Sequence, residues 1–151
     1  MINNELIKRR PVILVVDDDE ILLKTVHDTL IKERFRVITA TDGISAVFQL
    51  AKRNPDLVVL DIMMPKYDGF QTLEMIRRHS DIPVIMLTCL DDRISLHKSL
   101  DEGKADGYIT KPFSLKYLVA QVKAKLRRTD YVQKHLHIGE NKPLETVRID
   151  H

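Results

Sequence analysis

The sequence has a single cysteine, Cys89, in 151 residues. One thiol excludes an internal disulfide and leaves a cysteine-based zinc site without ligands. Sparse cysteine fits a reducing, intracellular setting, so a cytoplasmic location is expected. No apolar run approaches the roughly 20 residues of a membrane span, so no membrane association is expected. Met1 to Pro11 carries charge but lacks the apolar stretch of a signal peptide. An excess of one charge is missing too: 24 Lys+Arg against 22 Asp+Glu leave a net charge of +2. At whole-chain level nothing suggests nucleic-acid binding. What remains is an ordinary globular composition, 44% hydrophobic and 30% charged. The length suits one domain, or one domain with a short appendage.

Short apolar runs alternate with longer amphipathic ones. Val12-Ile13-Leu14-Val15-Val16 is unbroken and rich in β-branched residues, as in a strand of a parallel sheet buried on both faces. Ile21, Leu22, Val26 and Leu30 recur at helical spacing. Residues 36–40 predict a second strand and 45–52 a second helix. A third strand is predicted over 56–60, after the turn signal Asn54-Pro55. Phe70, Leu73 and Ile76 mark a third helix starting near Asp68-Gly69. A fourth strand is predicted over 82–87, and a fourth helix over 92–100 that Gly103 stops. Tyr108-Ile109-Thr110 is a short fifth strand. Leu115, Leu118, Val119, Val122 and Leu126 line a fifth helix. Five β–α units in a row imply an α/β fold, a parallel sheet with helices on both faces. Such sheets hold their ligands outside the carboxyl ends of the strands.

The residues just past those ends are therefore candidates. Asp17, Asp18, Asp19 and Glu20 follow the first strand, Asp61 the third, Thr88 the fourth and Lys111 the fifth. Thr41-Asp42-Gly43, after the second, reads as a turn. Crowded carboxylates repel each other and call for a cation. Oxygen ligands without histidine or thiolate favour magnesium or calcium. Lys111 and a metal would neutralise a transferring phosphoryl group, and Thr88 would hydrogen-bond to it. A carboxylate can be the nucleophile and form an aspartyl-phosphate. The set points to magnesium-assisted phosphoryl transfer to or from an aspartate.

Two resemblances compete for that aspartate. Asp17-Asp18-Asp19-Glu20-Ile21 after a strand resembles the first motif of haloacid-dehalogenase-like phosphatases, which would make Asp17 the nucleophile and Asp19 the acid/base. That family needs a further acidic pair after its lysine, and here Lys111 is followed by Pro112-Phe113. The second resemblance uses more of the chain. Val15-Val16-Asp17-Asp18-Asp19, Leu60-Asp61-Ile62-Met63-Met64-Pro65 with Asp68-Gly69, Met86-Leu87-Thr88 and Tyr108-Ile109-Thr110-Lys111-Pro112-Phe113 resemble the receiver domains of phosphorelay response regulators. The match runs from about Pro11 to Arg128, and is most like the winged-helix transcription-factor subfamily. It implies a flavodoxin-like (βα)5 fold, a doubly wound parallel five-stranded sheet of order 2-1-3-4-5. It implies that Asp61 accepts a phosphoryl group from a sensor histidine kinase. Asp18, Asp61 and the backbone carbonyl of Met63 would hold Mg²⁺, with Asp17 acting through water. Lys111 would pair with the phosphoryl group, or with Asp61 before it arrives. Thr88 would move toward the phosphoryl oxygen and Tyr108 would swing inward. That pair would switch the face formed by helix four, strand five and helix five, a possible homodimer surface. Lys111-Pro112 would be a cis bond. The protein would be a phosphoacceptor rather than an enzyme, with at most slow self-dephosphorylation.

Several positions depart from the family pattern. Two beyond Asp61 and two beyond Thr88 the family often places polar groups that orient water. Met63 and Leu90 are apolar, which implies a slowly hydrolysed aspartyl-phosphate. Lys104 looks inserted, and Gly107 replaces an acid. Tyr117 and Gln121 stand where many transcription-factor receivers carry charges of a symmetric dimer, though Lys123 and Asp101 could still pair across an interface. Asp19 and Glu20 are expected in a solvated loop, and Cys89 as a small buried filler. The expected division is an extension over 1–10, the receiver over 11–128 and a tail over 129–151. His135 and His137 could share one side of a strand, though an exposed tail is the simpler reading. Leu144 to Ile149 alternates like an edge strand, which suggests a linker and the start of a truncated effector domain. DNA would be reached only through that domain. The alternative is a stand-alone receiver acting by protein contacts.

Overall fold

Alternation along the strands decides how the chain layers. The computed structural model describes residues 9–89 and 105–140, with side chains described through 129. β1 (Val12–Val16) and β3 (Leu57–Asp61) are buried at every residue, and β4 (Val84–Cys89) at all but its last. β2 (Arg36–Ala40) and β5 (Gly107–Lys111) are only partly covered. All neighbours pair in parallel, in the order β2-β1-β3-β4-β5. This is the expected flavodoxin-like order. From β1 the chain runs outward to β2, then returns to place β3 on the other side of β1. The ends of β1 and β3 therefore form the switch point, where such sheets bind ligands.

Odd and even strand residues feed two separate cores. Val12, Leu14, Val16, Val58, Leu60, Val84 and Met86 pack under Ala46 and Leu50 of α2 (Gly43–Arg53) and Leu73 and Ile76 of α3 (Gly69–Arg77). Ile13, Val15, Leu57, Val59, Ile85, Leu87 and Ile109 face Leu23, Val26 and Leu30 of α1 (Glu20–Lys32) and Leu118, Val119 and Val122 of α4 (Leu115–Glu140). Truncating a fully buried member such as Leu60 to Ala would cost about 2–5 kcal/mol, lost transfer energy plus a cavity.

Aspartates start three of the helices. Asp19 accepts from the backbone of Ile21 and Leu22, Asp42 from Ser45, and Asp68 from Gln71. Gln71 answers Asp68 by accepting from its backbone N–H, completing a capping box. Each cap is worth about 1 kcal/mol. α2 ends at Asn54, whose φ of 49° is left-handed, a conformation asparagine tolerates.

The structure corrects three expectations. Asp19 is a helix cap, not a member of a solvated loop, and Glu20 is the first residue of α1. Cys89 is exposed, not a buried filler; it ends β4, beyond the last core residue of the strand. Helix, not strand, holds His135 and His137, because α4 runs on to Glu140. The predicted helix over 92–100, with Gly103, Leu90, Asp101 and Lys104, lies outside the described residues, as does the alternation over 144–149. No helix among the described residues is long and apolar enough to cross a membrane.

Candidate functional site

Asp17 directly follows β1, and its N–H still donates to the Ala40 carbonyl at 3.2 Å, so the sheet ladder fixes its backbone. Its side chain is 1% exposed. Oδ1 accepts from the Asp19 N–H at 2.9 Å. Asp61 is the last residue of β3 and is equally hidden, at 2% exposure. Asp18 is exposed beside them. One carboxylate oxygen from each of Asp17, Asp18 and Asp61 lies within 4.8 Å of the others.

Lys111 reaches this cluster from two strands away. It ends β5, and its Cα pairs with that of Cys89 on β4. Its Nζ crosses β4 to stand 2.9 Å from Asp61 Oδ1 and 3.3 Å from Asp17 Oδ2. Lys111-Pro112 is a cis bond, as the family pattern implies.

The charges do not balance within the site. Two unit charges 4 Å apart interact by about 4 kcal/mol at an effective dielectric of 20. Three ionised carboxylates against one ammonium leave a surplus of negative charge. The Asp61 carboxyl is raised to about 6: burial is the main cause, the hydrogen bond and charge of Lys111 oppose it, and the charges of Asp17 and Asp18 add to the rise. For Lys111, burial works against the ammonium. The hydrogen bond to Asp61 and the charges of Asp61 and Asp17 outweigh it and hold the group above the ordinary lysine value. The donor set fits a hard divalent cation: three carboxylates, no histidine, no thiolate.

The other candidates use the opposite pleat. Asp17 and Asp61 continue the alternation of Val15 and Val59, toward the α1/α4 side. Thr88 continues that of Val84 and Met86, and Tyr108 packs against the α2/α3 core. Thr88 is buried, and its Oγ1 donates to the Cys89 carbonyl at 3.1 Å. The strand register sets Tyr108 beside Met86, two residues before Thr88. Met63 lies in the loop after β3 and is 59% exposed, whereas Met64 is buried.

Two positioning features were not foreseen. Gly69 N–H donates to the Ile62 carbonyl at 2.8 Å, folding the β3–α3 loop back on Asp61. Asp-Gly was legible as a helix start but not as a contact with the site. Asp106 binds Arg77 at 2.9 Å and the Val84 N–H at 2.8 Å, tying the start of β5 to α3 and β4. Only tertiary structure brings those residues together.

Fold and site thus define a doubly wound α/β protein with a carboxylate–lysine cluster at its switch point. The sequence matches the response regulator receiver domain over residues 13–123, and the chain belongs to that family. It is 44% identical over 124 residues to "Probable transcriptional regulator ycf27" of Galdieria sulphuraria, covering 82% of this chain and 48% of that protein. It is 40% identical over 143 residues to "DNA-binding dual master transcriptional regulator RpaA" of a Synechocystis strain, covering 91% of this chain and 59% of the other. The chain spans about half the length of the curated relatives it matches. Among solved structures, the Francisella response regulator 1452 receiver domain superposes with a TM-score of 0.73 at 34% identity, covering 80% of this chain and 99% of that one. A two-component response regulator from Clostridium difficile gives 0.74 at 28% identity, covering 80% and 98%.

Proposed function

We propose that Asp61 accepts a phosphoryl group from a phosphohistidine of a sensor kinase. The observation that carries this is the Lys111–Asp61 contact of 2.9 Å inside a cluster of three carboxylates. In the transfer the phosphorus–nitrogen bond of the donor breaks and a bond forms to an Asp61 carboxylate oxygen. The carboxylate must be ionised to attack, and Lys111 favours that form. Lys111 then meets the negative phosphoryl oxygens, where a positioned ammonium lowers the barrier electrostatically. Asp18, Asp61 and the Met63 carbonyl would hold Mg²⁺, with Asp17 behind a water. When bound, the cation neutralises charge on the transferring group.

Asp17 suits a supporting role better than a nucleophile's. Its Oδ1 is held by the Asp19 N–H and its Oδ2 faces Lys111. Asp19 is occupied as the α1 cap, which weighs against an acid/base role. The family match points the same way. The protein would then act as a phosphoacceptor, not a turnover catalyst.

Thr88 would turn toward the phosphoryl oxygen and Tyr108 would fill the space it leaves. A local charge change would become a repacked surface around β5 and α4. Lys123 already pairs within the chain, 2.7 Å from Glu33, so a homodimer through that surface would have to share or replace this contact. The relatives named as transcriptional regulators support a transcriptional output through a DNA-binding effector domain.

The test is intact-protein mass after incubation with a small phosphodonor and Mg²⁺. One added phosphoryl group, absent from Asp61→Asn, is expected. A gain that survives Asp61→Asn but depends on Asp17, or turnover of phosphate esters, would favour the phosphatase reading.

A further inference from the structure

The opposite end of the sheet carries a cavity that the phosphoryl site does not use. It measures about 300 Å³ and is lined by Arg9, Val12, Arg36, Val37, Ile38, Arg53 and Asn54. Val12 and Arg36 are the first residues of β1 and β2, and Arg53 is the last of α2. Three separate segments thus bring three exposed guanidiniums to one concave place.

Their charge is only partly answered. Arg9 is held by both oxygens of Asp56, at 3.1 and 3.3 Å. Asp56 also accepts from the Val12 N–H at 2.7 Å, which keeps it in place. Among the described residues no carboxylate pairs with Arg36 or Arg53. Three arginines against Asp56 leave a local charge of +2. Asn54 and Val37 complete the lining, and the buried Val12 and Ile38 add little apolar surface to it.

We propose that this cavity binds a small phosphate ester of about nucleotide size. Guanidinium forks match phosphate oxygens bidentately. A phosphate monoester carries about −1.5 to −2 at pH 7, which matches the two unanswered arginines better than a single carboxylate would. A volume near 300 Å³ is at the small end of the range for small-molecule sites. The phosphate meets Arg36 and Arg53.

The test is isothermal titration of the whole chain with pyrophosphate and with AMP, at low salt and without Mg²⁺. Leaving out Mg²⁺ keeps the acidic Asp61 site from competing for the anion. Saturable one-to-one binding is expected. Arg36→Ala/Arg53→Ala should weaken it at least tenfold, and Arg36→Lys/Arg53→Lys by less, since charge remains but the fork is lost. Unfolding curves should show the variants folded, and their phosphorylation at Asp61 should be unchanged. The proposal fails if AMP does not saturate, or if the double alanine variant binds as well as wild type. It also fails if a nucleic-acid duplex binds in an Arg36- and Arg53-dependent way while both small phosphates do not.

Discussion

A Cβ placed on Gly69 would stand 2.5 Å from the carbonyl oxygen of Asp61 and 2.6 Å from Cα of Ile62. The first turn of α3 therefore rests directly on the backbone that carries the proposed nucleophile. Both contacts are backbone atoms, which cannot rotate away. Gly69→Ala should cost about 1–3 kcal/mol, the range for overpacking, and should slow phosphorylation of Asp61. Urea unfolding and the rate of mass gain measure the two effects. Wild-type values in both would mean that the helix start does not position the site.

Lys111 answers the cluster's charge. Lys111→Met keeps much of the side-chain bulk and removes the ammonium. Asp61 then loses its hydrogen bond and should titrate above its present value of about 6. The phosphorylation rate with a small donor should fall at least tenfold, about 1.4 kcal/mol of barrier. A rate within twofold of wild type would remove Lys111 from the mechanism.

The raised Asp61 value has a definite sign in stability. The folded protein holds this proton more tightly than the unfolded chain, whose carboxyl titrates near 3.8. The stabilisation is complete below about 3.8 and is lost as pH rises through about 6. Without metal, Asp61→Asn should be more stable than wild type at pH 7.5, and the gap should narrow as pH falls through 6 toward 4. Calorimetry across that window measures it. A gap that widens on acidification would contradict the electrostatic picture.

Cation binding should reverse part of that penalty. A cation binding only the folded state adds about 2.7 kcal/mol at a hundred times its dissociation constant. Mg²⁺ should raise the wild-type melting temperature, and Asp18→Asn should lose most of the rise. An Asp18→Asn protein that responds like wild type would place the cation elsewhere.

Met63 and Leu90 are apolar where receivers often carry polar groups, and Met63 is exposed in the loop after β3. Met63→Asn combined with Leu90→Gln should shorten the phosphoryl half-life about tenfold, 1.4 kcal/mol of barrier. An unchanged half-life would refute the assignment.

The fold was legible because burial on both faces writes unbroken apolar runs such as Val12–Val16, and the site because the carboxyl ends of four of the five strands carry Asp17, Asp61, Thr88 and Lys111. Strand limits slipped where side chains substitute for the ladder. Asp56, read as the start of β3, instead exchanges two hydrogen bonds with Val12 ahead of the strand. Cys89 and α4 beyond Arg128 were misread because composition reports polarity, not where a strand outruns its core or how far a helix continues. Gly69 and the Arg36–Arg53 cavity depend on contacts between distant segments, and spacing along one segment does not encode those.

Where the phosphoryl group sits tests the central claim most directly. Borohydride reduces an aspartyl-phosphate to homoserine, which peptide mass spectrometry locates. After treatment with phosphodonor and Mg²⁺, homoserine should appear at position 61 and nowhere else. Homoserine at position 17, or phosphate recovered only on serine, threonine or histidine, would contradict Asp61 as the acceptor.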